Sequence, residues 1–102
     1  MIKLIEQKRD AIAQLCREYG VRRFELFGSA ATDTFDDARS DLDFLVDFLP
    51  CEPAQHARRY LRLLVGLENL FQRKIDLLEI KAIRNPYFQE IVNQSRVELY
   101  AA

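Results

Sequence analysis

Residues 21–29, VRRFELFGS, and residues 41–48, DLDFLVDF, decide how this chain folds. The first stretch reads as a strand from Val21 to Phe27, closed by Gly28 and Ser29. Alternation places Phe24 and Leu26 with Arg22 on one face, and Arg23, Glu25 and Phe27 on the other. The second reads as a strand from Asp41 to Phe48, with Leu42, Phe44, Val46 and Phe48 on one face and Asp41, Asp43, Leu45 and Asp47 on the other. A face that mixes acids with an apolar residue suits a sheet whose covered surface carries a site at one end. Asp41 and Asp43 then point the same way, roughly 7 Å apart at their Cα atoms, and are placed to hold the same metal ions. Gly28 offers backbone without side-chain bulk, and Ser29 offers a hydroxyl. If Ser29 caps a short helical turn through Ala30 and Ala31, free amides would face a bound phosphate.

The flanking sequence builds a domain around these strands. Ile5, Ile12, Leu15, Cys16 and Tyr19 fall at helical spacing between Ile2 and Tyr19, and Gly20 is a natural stop. Thr32 to Ser40, with Asp33, Asp36 and Asp37, reads as an exposed loop. Pro50 and Pro53 interrupt, and Pro53 suits the first turn of a helix running to about Arg73 with Tyr60, Leu61, Leu64, Leu67 and Phe71 as its buried stripe. Lys74 to Glu79 reads as a third strand, with Ile75, Leu77 and Glu79 on one face and Asp76 and Leu78 on the other. Asn85 and Pro86 open another helix as cap and first residue, from which Tyr87, Phe88, Ile91 and Val92 would pack inward. Val97 to Tyr100 reads as a last short strand. The expected fold is α/β (α+β): one domain over residues 1–102, with a small mixed sheet flanked by helices and a catalytic edge where the first two strands meet the Gly-Ser turn.

Asp76 completes a constellation. It is the acid inside an otherwise apolar strand, and pairing with the Asp41–Phe48 strand would bring it within reach of Asp41 and Asp43. Three converging carboxylates repel one another unless cations are bound. Magnesium favours a few carboxylates together with substrate phosphate oxygens. Two such ions, about 3.5–4 Å apart, serve in-line phosphoryl or nucleotidyl transfer by activating one oxygen and stabilising another.

Composition bounds the function. The 102 residues are 49% apolar and 30% charged, an ordinary balance for a globular protein. A net charge of −1 provides no general basic field, so strong direct nucleic-acid binding is not expected. Cys16 and Cys51 have no metal-ligand or redox spacing, and with no signal peptide they suggest reduced thiols in a cytoplasmic protein. No apolar run reaches membrane-spanning length. His56 stands alone and is assigned no chemistry. Arg58, Arg59, Arg62, Arg73 and Lys74 read as a solvated face that would also receive an acidic partner or RNA phosphates.

The string GSAATDTFDDARSDLDFLVDF with the later KIDLLE resembles the GS…DxD…D signature of the polymerase-beta-like nucleotidyltransferase superfamily. In size and ending, through NPYFQEIVNQSRVELYAA, the chain resembles the minimal nucleotidyltransferases, including MntA-type antitoxins of HepT/MntA toxin–antitoxin pairs. That resemblance implies that Gly28 permits close approach of a triphosphate and Ser29 bonds its oxygens. It implies that Asp41 and Asp43 bind metal, while Asp76 completes the second metal site and helps deprotonate the acceptor. The implied cofactor is Mg2+, as two ions, with ATP as the nucleotide substrate. The implied reaction is AMPylation: AMP moves from ATP to a tyrosine hydroxyl of a HEPN-domain (HepT-like) toxin, silencing its RNase activity, and pyrophosphate is released. A hetero-oligomer with that toxin is expected, because too little chain follows Asp76 for a substrate domain.

The sequence departs from this pattern in two places. Where the family often has a small residue and Arg-Gly after Gly-Ser, this chain has Ala30, Ala31, Thr32 and Asp33, and its spacer to Asp41 is about one residue longer. Two other readings stay open: a binding module that neutralises a partner by complex formation, and an enzyme acting on a small hydroxyl compound with a helical subunit completing the pocket.

Overall fold

The computed structural model describes residues 2–32 and 41–102. Two short helices, α1 (Lys3–Gln7) and α2 (Arg9–Glu18), lead into β1 (Val21–Phe27) and a single 3-10 turn over Gly28–Ala31. β2 (Leu42–Phe48), α3 (Pro53–Phe71) and β3 (Ile75–Glu79) follow. A second 3-10 turn over Ile80–Ala82, α4 (Pro86–Asn93) and β4 (Val97–Ala101) complete the order. The strands form one mixed sheet in the order β3-β2-β1-β4, with β1 antiparallel to β2 and β4, and β2 parallel to β3.

The sheet has two faces of unequal cover. Val21, Phe24, Leu26, Leu42, Phe44, Val46, Phe48, Ile75 and Leu77 pack on Ile5, Ile12 and Cys16 of α1 and α2 and on Leu63, Leu67 and Phe71 of α3. Phe24 and Phe44 stack at 4.8 Å between ring centroids at the centre of this layer. The opposite face carries a smaller cluster in which Phe27, Leu45 and Val92 are buried against Leu78, Ile80, Ile83 and Phe88, with α4 as its cover. The faces of β2 and β3 follow the alternation expected from sequence. β1 does so from Phe24 onwards.

Four details differ from the sequence reading, each for a physical reason. The expected helix from Ile2 to Tyr19 breaks at Lys8 (φ −107°, ψ 8°), whose amide donates to the Ile5 carbonyl three residues back; both Ile5 and Ile12 are buried. The β1–β2 register shifts between Val21 and Arg23, a bulge that returns Val21 to the Phe24 face and sends the Arg22 side chain to Asp47. Arg22 therefore does not share the face of Phe24 and Leu26. On α3, Leu61 is 59% exposed while Leu63 is buried. At about 100° per residue, Leu61 lies about 120° around the helix from Leu67, the middle of the buried stripe Leu63, Leu67 and Phe71, whereas Leu63 lies only about 40° from it. On α4, Phe88 and Val92 face the sheet, leaving Tyr87 79% and Ile91 60% exposed on the neighbouring ridge.

The element ends follow local chemistry. Gly20 takes φ +68° after α2, and Gln72 takes φ +53° after α3. The Asn85 side chain accepts the Tyr87 and Phe88 amides at 2.9 and 3.4 Å, and Pro86 follows as the first helical residue. Among the described residues no helix is long and apolar enough to cross a membrane. Asp33, Asp36 and Asp37 lie outside the described residues.

Candidate active site

The antiparallel and parallel pairings of β2 meet at Asp43. Its Cα partner on β1 is Phe27, the last residue before Gly28, and its Cα partner on β3 is Asp76. One rung of the sheet thus brings the Gly-Ser turn, Asp43 and Asp76 side by side. Both acids project from the face whose further reach is covered by α4, beyond Leu45 and Leu78 in the same alternation. Asp41 precedes β2, and its carboxylate lies 3.6 Å from Lys74 Nζ at the start of the neighbouring strand. Asp41, Asp43 and Asp76 are all partly exposed.

Asp43 and Asp76 share a hydrogen bond between their side chains. The carboxyl of Asp43 is pushed up to about 6, first by burial, then by that bond and by the charges of Asp76 and Asp41, with Lys74 pulling the other way. Like charges this close favour retention of a proton on one of them. Among the described residues no group of three or more His, Cys, Asp or Glu stands as a ready-made metal cage. The donor set nonetheless fits a hard cation. It consists of carboxylate oxygens, it is open to solvent, and its crowded charge is what a divalent ion would relieve.

The turn beside these acids is shaped by its glycine. Gly28 has φ +74°, a conformation natural to glycine, and a Cβ at this position would fall within the contact distance of Asp43 Oδ2. Ser29 lies inside the 3-10 turn, and the extended residue preceding the turn is Phe27; no side chain caps it. The cap expected of Ser29 is therefore not formed. Its carbonyl accepts from the Thr32 amide and hydroxyl, at 3.2 and 3.1 Å. Ala30 is fully buried in the main core, which accounts for a small residue immediately after Gly-Ser.

Two participants were not legible beforehand. The Gly28 amide donates to Ser95 Oγ at 3.0 Å, across 67 positions of sequence. Lys74, read as part of a solvated basic face, is the cation beside Asp41. His56, assigned no chemistry, pairs with Glu79 and sets its ring edge-on to Phe48 at 5.1 Å. His56 shares a different recess, with Asp47, Cys51, Lys81 and Arg84.

Comparison with known proteins shows the family and the fold. The sequence profile of the family described as "Nucleotidyltransferase domain" matches residues 8–99. The chain is 32% identical over 96 residues to "Putative protein adenylyltransferase MJ1379" of Methanocaldococcus jannaschii, covering 94% of this chain and 92% of that protein. Its fold is similar to a solved "putative minimal nucleotidyltransferase", with a TM-score of 0.73 and 28% identity over 94% of this chain and 95% of that one. It is also similar in fold to a chain in the complex of a tri-AMPylated Shewanella oneidensis HEPN toxin with MNT antitoxin. That match has a TM-score of 0.59 and 16% identity, over 95% of this chain and 72% of the other. Matched along most of its length, with a glycine turn and paired acids on the rim of a mixed sheet, the chain belongs to the nucleotidyltransferase domain family and is a nucleotidyltransferase.

Proposed function

We propose that this nucleotidyltransferase moves AMP from ATP to a tyrosine hydroxyl of a HEPN-type toxin and serves as that toxin's antitoxin. The observation that carries the chemistry is the rung on which Phe27, Asp43 and Asp76 are paired, with the glycine turn at its end. The name of the archaeal relative supports a protein as acceptor, and the likeness in fold to the toxin–antitoxin chain supports the HEPN partner. In this reading the triphosphate sits against Gly28 and Ser29, whose backbone and hydroxyl bind phosphate oxygens. The tyrosine oxygen bonds to the α-phosphorus as the bridge to the β-phosphate breaks. The phenolic proton passes to Asp76, and pyrophosphate leaves. Asp41, Asp43 and Asp76 would hold magnesium, which when bound supplies positive charge to the triphosphate and to the departing pyrophosphate.

The test is transfer itself. The protein incubated with a HEPN-domain toxin, magnesium and ATP labelled at the α-phosphate is expected to label the toxin, and the Asp43→Asn variant to leave it unlabelled. Equal labelling by that variant removes the acid pair from the mechanism. A second reading is favoured by the engagement of Asp41 with Lys74: neutralisation of the toxin by occupancy. It is the correct one if the Asp41→Ala, Asp43→Ala protein still silences the toxin fully without any transfer.

A further inference from the structure

We infer that Ser95 is a positioning residue for nucleotide binding, its hydroxyl seating the Gly28-Ser29 turn against Asp43. The inference rests on the reading of that turn as the seat of the triphosphate. The Gly28 amide opens a 3-10 turn, so it belongs to the set of N-terminal N–H groups that have no partner within their own helix. Its acceptor is Ser95 Oγ, at 3.0 Å, and both residues are partly buried. On its other side the Gly28 Cα lies so close to Asp43 Oδ2 that no Cβ fits between them. The turn is thus held between a hydroxyl and a carboxylate, and the hydroxyl fixes how far it stands from the acid.

Ser95 is itself anchored on both sides. Its amide donates to the Val92 carbonyl at 3.2 Å, at the end of α4. The next residue, Arg96, binds the Glu25 carboxylate, with Nε 3.3 Å from Oε2, and donates to Asn93 Oδ1 at 2.9 Å. Glu25 lies on β1, the strand that ends at the turn. The junction of α4 and β4 is therefore pinned to β1 through the Arg96–Glu25 pair, and Ser95 transmits that fixed position to Gly28. A hydroxyl suits the place because it accepts the amide and keeps a proton to donate. A carboxylate would accept as well, but would add negative charge where phosphates are to sit.

Loss of the hydroxyl leaves the Gly28 amide without its acceptor and frees the turn to drift from Asp43, while Asp43 and Asp76 keep their own pairing on the rung. The effect therefore falls on nucleotide binding rather than on the transfer step. Ser95→Ala and Ser95→Cys, the second of which keeps the side-chain shape but is a weak acceptor, are expected to raise the Kd for Mg-ATP by about tenfold in calorimetry. KM should rise in parallel with kcat within about twofold, and Ser95→Thr should restore binding to within about threefold of wild type. Circular dichroism checks that each variant is folded, and the Cys variant stands in if the Ala variant is not. Unchanged Mg-ATP affinity in the Ala or Cys variant overturns the inference, as does a loss confined to kcat or a Thr variant as weak as Ala. Because affinity is read without any acceptor, these outcomes are separable from the toxin reading: wild type that binds Mg-ATP yet labels no HEPN toxin undoes the acceptor alone. Wild type that does not bind Mg-ATP undoes the seat and, with it, the role of Ser95.

Discussion

Gly28 shows how much one residue decides here. Alanine at this position would have to hold φ near +74° and fit its Cβ against Asp43. Left-handed backbone alone costs a non-glycine residue about 1–2 kcal/mol, so Gly28→Ala should lower stability by at least that in urea titration and abolish transfer. Asp43 gives a second expectation, with a definite sign. Its carboxyl is raised to about 6 in the fold, while in the unfolded chain it titrates near the ordinary Asp value of about 3.9. Between those two values the folded state binds the extra proton, so stability in EDTA should fall as pH rises from about 4 to about 6 and level off beyond. Asp43→Asn should flatten that part of the profile, and a wild-type profile that rises across the same window would contradict the assigned environment. Asp43 and Asp76 were legible in the sequence because period-two alternation tells which strand residues share a face. Ser95 was not, because a serine hydroxyl bonded across 67 positions leaves no local pattern. Arg22 was misplaced because a bulge inserts one residue without any signature in composition.

At the scale of the element, the strands were more legible than the helices' buried faces. A strand has two faces, and the apolar residues of β2 and β3 choose between them without ambiguity. A helix presents a continuum, so a stripe read from Leu61 instead of Leu63 remains plausible until a sheet is laid against it. The difference is measurable: Leu63→Ala should cost about 2–5 kcal/mol, whereas Leu61→Ala should stay within about 0.5 kcal/mol. Comparable losses from both would mean that α3 packs with a different phase. α4 repeats the lesson with two adjacent ridges, Tyr87 with Ile91 and Phe88 with Val92, of which the sheet accepts only the second. Its start was nonetheless readable to the residue, since Asn85 and Pro86 act on the backbone next to them.

For the molecule as a whole, the fold class could be read from the succession of elements, but the strand order could not. Periodicity says that β4 exists, and it does not say that β4 lies beside β1 at the opposite edge from β3. The assembled rung makes a prediction for the entire chain. If the acids and the turn together bind Mg-nucleotide, ligand at a hundred times its Kd adds about 2.7 kcal/mol to stability. A scanning melt should then rise by several degrees with Mg-ATP, and the rise should vanish in Asp43→Asn or Asp76→Asn. An equal rise in those variants would locate binding elsewhere. The β1–β4 pairing has one more consequence, which concerns the order of events in the cell. Arg23 is opposite Ala101 and Leu26 opposite Val97, so β4, which comes after all the other strands in chain order, completes the pairing of the strand that carries the turn. During synthesis from the N-terminus, the acids of β2 and β3 leave the ribosome before Ser95 and β4 do. A nascent chain thus holds its carboxylates before the Gly28 turn can be seated, and if that turn binds nucleotide, capture waits until this strand has been translated.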